Sequence, residues 1–219
     1  MAQSKPILYS YFRSSCSWRV RIALAYKEID YEYKAVNLLT GEQLSDTFKK
    51  VNPCASVPVL VDKGNAISSS NAILEYLEET VPSPALLPAD PFARAKVREI
   101  ADSIVASIQP IQNMKVLKYV NKELGKDSKA WAKHWVESGF KSLERILEET
   151  HGTFCVGEEI TLADVCLVPQ VFNASRFDVD MASFPLISKI SSRLNGLRAF
   201  KDSHPFTQPD CPDDLKISK

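Results

Sequence analysis

The sequence contains little of what usually marks a metal site or a strongly charged surface. Its 219 residues include 3 histidines, and its 27 lysines and arginines are balanced by 27 aspartates and glutamates. Five cysteines are present, with no CxxC pair and no metal-ligand spacing to a histidine. We therefore expect no metal site, and no overall field that would attract nucleic acid or an acidic membrane. An anionic ligand would need local cationic groups.

Long apolar runs are also missing. No segment is long and apolar enough to cross a bilayer, and the N-terminal stretch MAQSKPILYSYF lacks the apolar core and cleavage site of a signal peptide. An odd number of cysteines, with no spacing typical of a disulfide framework, favours thiols that stay reduced. These features predict a cytoplasmic protein with no membrane partner, while mitochondrial import without a cleaved peptide stays compatible with the sequence.

The predicted elements change in kind at a proline-rich segment, VPSPALLPADP. Before it, PILYSYF, YEYKAVNL, VPVLVD and the short run after Lys63-Gly64-Asn65 are typical of strands, and helical segments follow SSCSW and begin at SSNAILEYLEE. The first two strands are predicted to be joined by a parallel crossover, and the last two to form an antiparallel hairpin. After it only helices are predicted, the first opening at Asp90-Pro91 with a kink at Pro110. The sequence therefore predicts an α/β domain over residues 4–86 and an all-helical domain over residues 90–215.

Two helical patterns allow individual side chains to be assigned. The apolar residues after SSCSW recur at helical spacing and leave Arg19 and Arg21 off the apolar stripe. In ITLADVCLV, Thr161 and Asp164 fit a capping box with aspartate in the usual glutamate position. We assign Asp164 to folding and not to catalysis.

The segment SSCSW lies between a predicted strand and a predicted helix. The N–H groups at such a helix start carry partial positive charge, so Ser14, Ser15 or Cys16 could help to stabilise an anion there. Serines before a helix are, however, more often simple N-caps. From this segment alone the cap is the preferred interpretation.

Two further segments could contact an extended anionic peptide. Val57-Pro58 opens a predicted edge strand, where backbone groups turned outward could pair with a peptide, although a proline that merely starts a strand explains the pattern equally well. Ser69-Ser70-Asn71 begins a helix whose N–H groups could hold a carboxylate. Together with SSCSW, these segments suggest a short acidic peptide that carries a thiol, and glutathione fits this description.

Five segments carry a resemblance to a known family: SSCSWRVRIAL, NPCASVPVL, SSSNAILEYLEE, IQPIQN and VGEEITLADVCLVPQVFNASRF. The chain resembles the zeta class of glutathione transferases, the maleylacetoacetate isomerases, from Pro6 to about Pro212. This resemblance implies an α/β thioredoxin-like domain with a mixed four-stranded sheet, followed by an all-helical domain. It also implies glutathione as cofactor and a homodimer.

The resemblance also implies roles for individual residues. Ser14, Ser15 and Cys16 are expected to line the glutathione thiol as catalytic residues. Arg176 is expected to hold a substrate carboxylate, with Arg13 and Arg19 as further candidates. The expected glutathione-binding residues are Ser14, Ser15, Cys16, Ser17, Trp18, Arg19, Gln43, Val57, Ser69, Ser70, Gln109 and Asn113.

Ser69 departs from the family pattern, which has glutamine or glutamate before the serine that is Ser70 here. A serine is two methylenes shorter and can hardly make the same contact. We therefore expect weaker glutathione binding at this position, or a bridging water.

The implied activity is isomerisation of maleylacetoacetate to fumarylacetoacetate in phenylalanine and tyrosine catabolism, with transferase activity on α-haloacids. The expected substrate is thus a small anionic organic acid. Two alternatives stay open: a general detoxifying glutathione transferase, and a non-catalytic module of the same fold that serves protein contacts. Cys16 could in principle form mixed disulfides with glutathione, but no second cysteine lies near it in sequence. We expect Ser14 to be the main thiolate donor and Cys16 to tune the site.

Overall fold

A computed structural model describes residues 5–217, which fall into two units. Unit 1 contains the described residues up to 84 and those from 196 onward, and unit 2 contains residues 85–195. The division near residue 84 lies within the proline-rich segment. At the C-terminal end the units differ from the predicted segments, because residues from 196 onward pack with unit 1, where helix α9 (Arg198–Asp202) contacts the first helix.

Unit 1 is built on a mixed four-stranded sheet with the order β2-β1-β3-β4. Strand β1 pairs in parallel with β2 and antiparallel with β3, and β3 pairs antiparallel with β4. The predicted parallel crossover and closing hairpin are both confirmed. The strands are β1 (Ile7–Ser10), β2 (Glu32–Ala35), β3 (Val59–Asp62) and β4 (Asn65–Ser68).

Strand β3 corrects one prediction, since it lies inside the sheet and not at its edge. Val59 pairs with Tyr9 on one side and with Ser68 on the other. Proline has no N–H to donate to a ladder, and β3 accordingly begins after Pro58. The β3–β4 turn has positive φ at both central residues, Lys63 (49°) and Gly64 (81°), as a two-residue hairpin requires.

Helix α1 (Ser15–Tyr26) corrects a second prediction. Trp18 and Ile22 are buried, but so are Arg19 and Arg21, both with 0% exposure. The helix is therefore enclosed nearly all round, and the two arginines expected outside the apolar stripe lie inside unit 1. The other helices of this unit are α2 (Asp46–Val51), α3 (Ser70–Thr80) and α9.

A buried ion pair joins α1 to the end of α3. The Lys27 ammonium lies 2.8 Å from a Glu78 carboxylate oxygen and also donates to the carbonyl oxygens of Val81 and Pro84, each at 2.7 Å. All three donors of the ammonium therefore have acceptors, which a buried charge requires.

Unit 2 consists of helices, as predicted, but the long helix expected from Asp90 to Leu117 is interrupted. Helix α4 ends at Asp102, residues 103–108 take a π-helical form, and a 3₁₀ turn begins at Pro110. Asn113 then caps α5, accepting a hydrogen bond from Lys115 N–H at 3.2 Å. Proline removes one helical hydrogen bond and clashes with the preceding turn, which explains why the disruption exceeds a kink. The helices are α4 (Pro91–Asp102), α5 (Met114–Lys122), α6 (Ser128–Thr150), α7 (Leu162–Arg176) and α8 (Pro185–Asn195).

The capping box at the start of α7 is confirmed. The buried Asp164 carboxylate accepts hydrogen bonds from Thr161 N–H at 2.8 Å and from Cys155 N–H at 2.9 Å. Burial raises the pKa of Asp164, and these hydrogen bonds act in the opposite direction. In residues 5–217 no helix is long and apolar enough to cross a bilayer.

Candidate active site

The segment from Tyr11 to Cys16, called the thiol loop below, follows β1 and includes the first two residues of α1. Ser14 N–H donates to the Tyr11 carbonyl at 3.0 Å, closing a tight turn, and Ser14 then caps α1. The Ser14 hydroxyl oxygen accepts from Ser17 N–H at 3.2 Å. A hydroxyl carries one donor and two acceptor sites, so capping leaves its proton available. Ser14 is therefore an N-cap whose remaining chemistry is that of a hydrogen-bond donor.

The remaining residues of SSCSW differ in exposure. Ser15 is buried and Cys16 is half-buried, with the Cys16 sulfur 3.8 Å from Arg19 Nη1. Trp18 is 1% exposed, and its indole N–H donates to the Ser203 hydroxyl at 3.1 Å. The single indole donor is therefore used inside unit 1, and Trp18 is a buried residue that packs beneath the thiol loop. Ser17 is also buried.

Arg19 links the thiol loop to the beginning of α3. Its Nη1 donates to the Ser70 hydroxyl at 3.2 Å and lies beside Cys16. Within the described part of the chain, Arg19 Nε and Nη2 are buried without a hydrogen-bond partner. This arrangement places a fixed positive charge behind the two segments expected to contact an anion. Because the Arg19 side chain has no exposed surface, it is not placed to contact a substrate carboxylate directly.

The two serines at the start of α3 divide into one buried and one exposed side chain. Ser70 is buried and bonded to Arg19, whereas Ser69 is exposed, stands at the N-cap position and makes no capping hydrogen bond. Ser69 has φ 88°, a left-handed conformation that is unusual for a residue other than glycine. The start of α3 therefore has no side-chain N-cap, a situation that favours an anion at the helix end.

Two other expected glutathione contacts lie in unit 1. Gln43 belongs to a 3₁₀ turn over Glu42–Leu44, and its Oε1 is buried with no hydrogen-bond partner among the described residues. Val57 precedes β3 and forms a cis peptide bond with Pro58. It lies outside the β ladder, which begins at Val59. Arg13, in the thiol loop, is half-buried.

Three of the expected residues belong to unit 2. Gln109 follows the π-helical segment and Asn113 caps α5. Arg176 is exposed as the last residue of α7, where it donates to the Asn173 side chain at 3.3 Å and lies 5.8 Å from the Phe177 ring centre. Cationic character at this helix end is also favoured by the helix dipole.

Several buried or half-buried polar residues near these segments were not predicted from the sequence. Gln112 donates to Gln170 at 3.0 Å, which ties the segment between Gln109 and Asn113 to α7. In unit 1, Arg21 donates to the Tyr11 and Phe12 carbonyls of the thiol loop, and Asp210 accepts from Phe12 N–H. No sequence motif signals these contacts, because the partners lie far apart in the sequence. Gln112 and Gln170 are 58 residues apart, and Phe12 and Asp210 are 198 residues apart.

The arrangement offers no metal chemistry in the part of the chain that is described, where no group of three His, Cys, Asp or Glu side chains could hold an ion. It offers hydroxyl and backbone donors at two helix starts with a buried guanidinium between them. Such a set suits a ligand that carries a thiol and a carboxylate.

Two protein-family models match the chain. The chain matches the glutathione S-transferase N-terminal domain over residues 4–79 and the glutathione S-transferase C-terminal domain over residues 109–202. It is 54% identical to maleylacetoacetate isomerase of Rattus norvegicus over 218 residues, which cover 99% of this chain and 100% of that protein. It is 46% identical to a zeta-class glutathione S-transferase of Euphorbia esula, covering 93% of this chain and 91% of the relative.

Solved structures give the same result. A holo structure of maleylpyruvate isomerase, a bacterial zeta-class glutathione S-transferase, superimposes with a TM-score of 0.91 at 42% identity and covers 94% of this chain and 100% of its own. Maleylacetoacetate isomerase from Anaeromyxobacter dehalogenans, with GSH bound in its active site, has a TM-score of 0.88 at 41% identity and covers 96% and 100%. With both domain models matched and near-complete coverage, the chain belongs to the glutathione S-transferase family, and within it to the zeta class.

Proposed function

We propose that this protein catalyses the glutathione-dependent cis–trans isomerisation of maleylacetoacetate to fumarylacetoacetate, a step of phenylalanine and tyrosine catabolism. The observation that carries the proposal is the Ser14 turn: a helix-capping serine whose hydroxyl proton is donated to no other described residue. It occurs in a chain 54% identical to the rat maleylacetoacetate isomerase.

The residues present fit glutathione as the cofactor. The start of α3 lacks a side-chain cap, so its N–H groups can donate hydrogen bonds to a polar peptide, and the buried Gln43 Oε1, without a partner among the described residues, can accept one. When bound, glutathione supplies a thiolate that adds to the cis double bond and leaves after rotation about the resulting single bond. The cofactor is therefore not consumed. We assign the thiol contact to Ser14, with Ser15 and Cys16 beside it, and backbone pairing to Val57.

The contribution of the protein is to keep that thiol ionised near neutral pH. A thiol with a pKa of about 8.5 is only a few per cent ionised at pH 7, and lowering it by two units requires about 2.7 kcal/mol. A helix N-terminus supplies about 0.3 to 1 kcal/mol, and a hydrogen bond to a charged group about 1.5 to 3 kcal/mol. One serine hydroxyl at the start of α1 is therefore sufficient in magnitude.

The substrate preference separates this function from general detoxification. We expect a higher kcat/KM for the isomerisation of maleylacetone, a cis-diketo acid, than for conjugation of 1-chloro-2,4-dinitrobenzene. The reverse order would favour a general glutathione transferase. Calorimetry provides the second comparison, because an absence of glutathione binding would favour the non-catalytic module.

Arg176 is the proposed contact for the substrate carboxylate. Replacing it by glutamine removes a charged hydrogen-bond donor, so we expect the KM for maleylacetone to rise about tenfold while the KM for glutathione stays unchanged. Arg193→Gln, at another exposed arginine of unit 2, is the matched control and should leave both constants alone. An equal rise of both KM values for Arg176→Gln would refute a specific substrate contact.

At Ser69 we expect a substitution to strengthen ligand binding. Ser69→Gln restores the longer side chain that is usual in the family, so we expect the glutathione Kd measured by calorimetry to fall about three- to tenfold, the effect of one added hydrogen bond. Ser69→Ala serves as control and should not tighten binding. Unchanged or weaker binding by the glutamine variant would show that the serine is no handicap.

We further propose that α-haloacids are secondary substrates. We also propose that the protein acts in the cytoplasm and that it is a homodimer. These proposals rest on the resemblance of the chain to its family. Light scattering after size exclusion tests the last point, since the chain mass is 24.5 kDa. A mass of one chain at micromolar concentration would contradict it.

A further inference from the structure

The turn from Tyr11 to Ser14 is held by hydrogen bonds to the backbone of Tyr11, Phe12 and Ser14. The Tyr11 carbonyl accepts from Ser14 N–H at 3.0 Å and from the Arg21 guanidinium at 3.3 Å. The Phe12 carbonyl accepts from Arg21 Nη2 at 2.9 Å. The Phe12 N–H has no acceptor within the turn itself and needs one from elsewhere in the fold.

That acceptor is Asp210, near the C-terminal end of unit 1. Its Oδ2 accepts from Phe12 N–H at 2.9 Å, and its Oδ1 accepts from the Tyr33 hydroxyl of β2 at 2.6 Å. The carboxylate thus bridges the sheet and the thiol loop. A hydrogen bond to an ionised acceptor is stronger than one between neutral groups, and two bonds to different elements fix the position of the carboxylate.

The residues preceding Asp210 are anchored to the same helix that Ser14 caps. The Ser203 carbonyl accepts from Arg21 Nε at 3.1 Å, and the Ser203 hydroxyl accepts from the Trp18 indole. The His204 ring contacts the Trp18 ring edge-on, with centres 5.2 Å apart. The segment that places Asp210 beside the thiol loop is therefore itself anchored to α1.

Charge supports the same arrangement. Arg21 is fully buried, and its acceptors in the described chain are neutral carbonyl and hydroxyl oxygens. Burial lowers the pKa of Arg21, while Tyr33, Tyr31 and Asp210 act against that shift. The Asp210 carboxylate thus adds a favourable negative charge for the buried guanidinium, and the guanidinium in turn holds two carbonyls of the turn.

We propose that Asp210 is a positioning residue for the reaction: through Phe12 N–H it fixes the turn that sets the direction of the Ser14 hydroxyl. The inference rests on the proposed function, because it assigns to Asp210 an effect on the thiol that Ser14 contacts. The residue does not touch the substrate or the cofactor thiol; it acts through the backbone of two intervening residues.

The test compares Asp210→Ala and Asp210→Asn with the wild-type protein, using maleylacetone and glutathione. For Asp210→Ala we expect kcat to fall about tenfold with the KM for glutathione changed less than about threefold, since one charged hydrogen bond is lost and the peptide contacts remain. The pKa of the bound glutathione thiol, followed by thiolate absorbance, should rise toward its value in free glutathione. Asparagine still accepts from Phe12 N–H through its amide oxygen, so Asp210→Asn should lose only about threefold in kcat.

Two variants separate positioning from general stability. Asp202→Asn changes a carboxylate of α9 that pairs with Arg198 at 3.3 Å, and it should match the wild type in all readouts. Tyr33→Phe removes the other hydrogen bond of Asp210 but leaves the one to Phe12, so it should lower the thermal midpoint and shift the thiol pKa less than Asp210→Ala does. If Asp210→Ala does not fold, the comparison of Asp210→Asn with Asp202→Asn gives the decisive readout.

The outcomes distinguish this inference from the proposed function. A wild-type protein without isomerase activity would refute the proposed function itself. An active wild type with an unshifted thiol pKa in the Asp210 variants would overturn only the role of Asp210. A loss of kcat in Tyr33→Phe equal to that in Asp210→Ala would likewise reduce Asp210 to a structural anchor.

Discussion

Ser14→Ala should lower the isomerase kcat about 10- to 100-fold, because it removes the hydroxyl that we propose as hydrogen-bond donor to the glutathione thiolate, a contact of about 1.5 to 3 kcal/mol. Cys16→Ala should cost less than about threefold, because Cys16 is half-buried beside Arg19 and no thiolate chemistry of its own is required. Steady-state turnover of maleylacetone at saturating glutathione gives both values.

Ser14→Ala also removes an N-cap, so a control must separate lost capping from lost catalysis. Ser45 caps α2 through the same kind of bond, accepting from Phe48 N–H at 3.2 Å, the distance also found between Ser17 N–H and Ser14. Ser45→Ala should therefore destabilise the protein by a similar amount, about 1 kcal/mol, and keep its kcat. Equal kcat losses for Ser14→Ala and Cys16→Ala would show that the thiolate is shared between the two side chains.

Lys27→Met should lower the free energy of unfolding by about 3 to 5 kcal/mol, measured by urea denaturation. The substitution leaves the Glu78 carboxylate, with a side chain only 9% exposed, without its ammonium partner, and it removes the donor to the Val81 and Pro84 carbonyls. The penalty is that of removing the ammonium from beside a buried carboxylate, and it is not the net strength of the ion pair.

A second substitution and a surface control make this prediction specific. Lys27→Met combined with Glu78→Leu removes both charges and should recover much of the lost stability. Lys5→Met breaks an exposed pair with Asp30, whose side chains are 64% and 85% exposed, and should change little. If the double variant were as unstable as Lys27→Met alone, the buried carboxylate would not be the cause.

Sequence patterns predicted those features whose determinants are local. The Lys63-Gly64 hairpin, the Asp90 cap of α4 and the Thr161–Asp164 capping box each depend on residues a few positions apart, and all three occur. The N-cap interpretation of Ser14 is also confirmed, and the cap leaves the hydroxyl proton available for the donor role that we propose. Local hydrogen-bonding rules were sufficient in these cases.

Features decided by distant contacts were not predictable in the same way. Arg19 and Arg21 look like surface residues in a helical projection, yet each is buried by acceptors that other elements supply, such as Ser70 and Ser203. The interior position of β3 depends on which strands pair, and periodicity does not encode that choice. The assignment of Gln43, Gln109 and Asn113 likewise came from resemblance to the family and not from any pattern in the residues.

The return of the C-terminal segment to unit 1 has a consequence for biosynthesis. Unit 1 contains residues on both sides of unit 2 in the sequence, so its last side chains are translated after the whole of residues 85–195. Domains otherwise tend to fold in order as they leave the ribosome, at about 5 to 20 residues per second. On the nascent chain, the Phe12 N–H has its acceptor, Asp210, only after 198 further residues have been translated. The turn that holds Ser14 is thus among the last parts of this protein to acquire its native contacts.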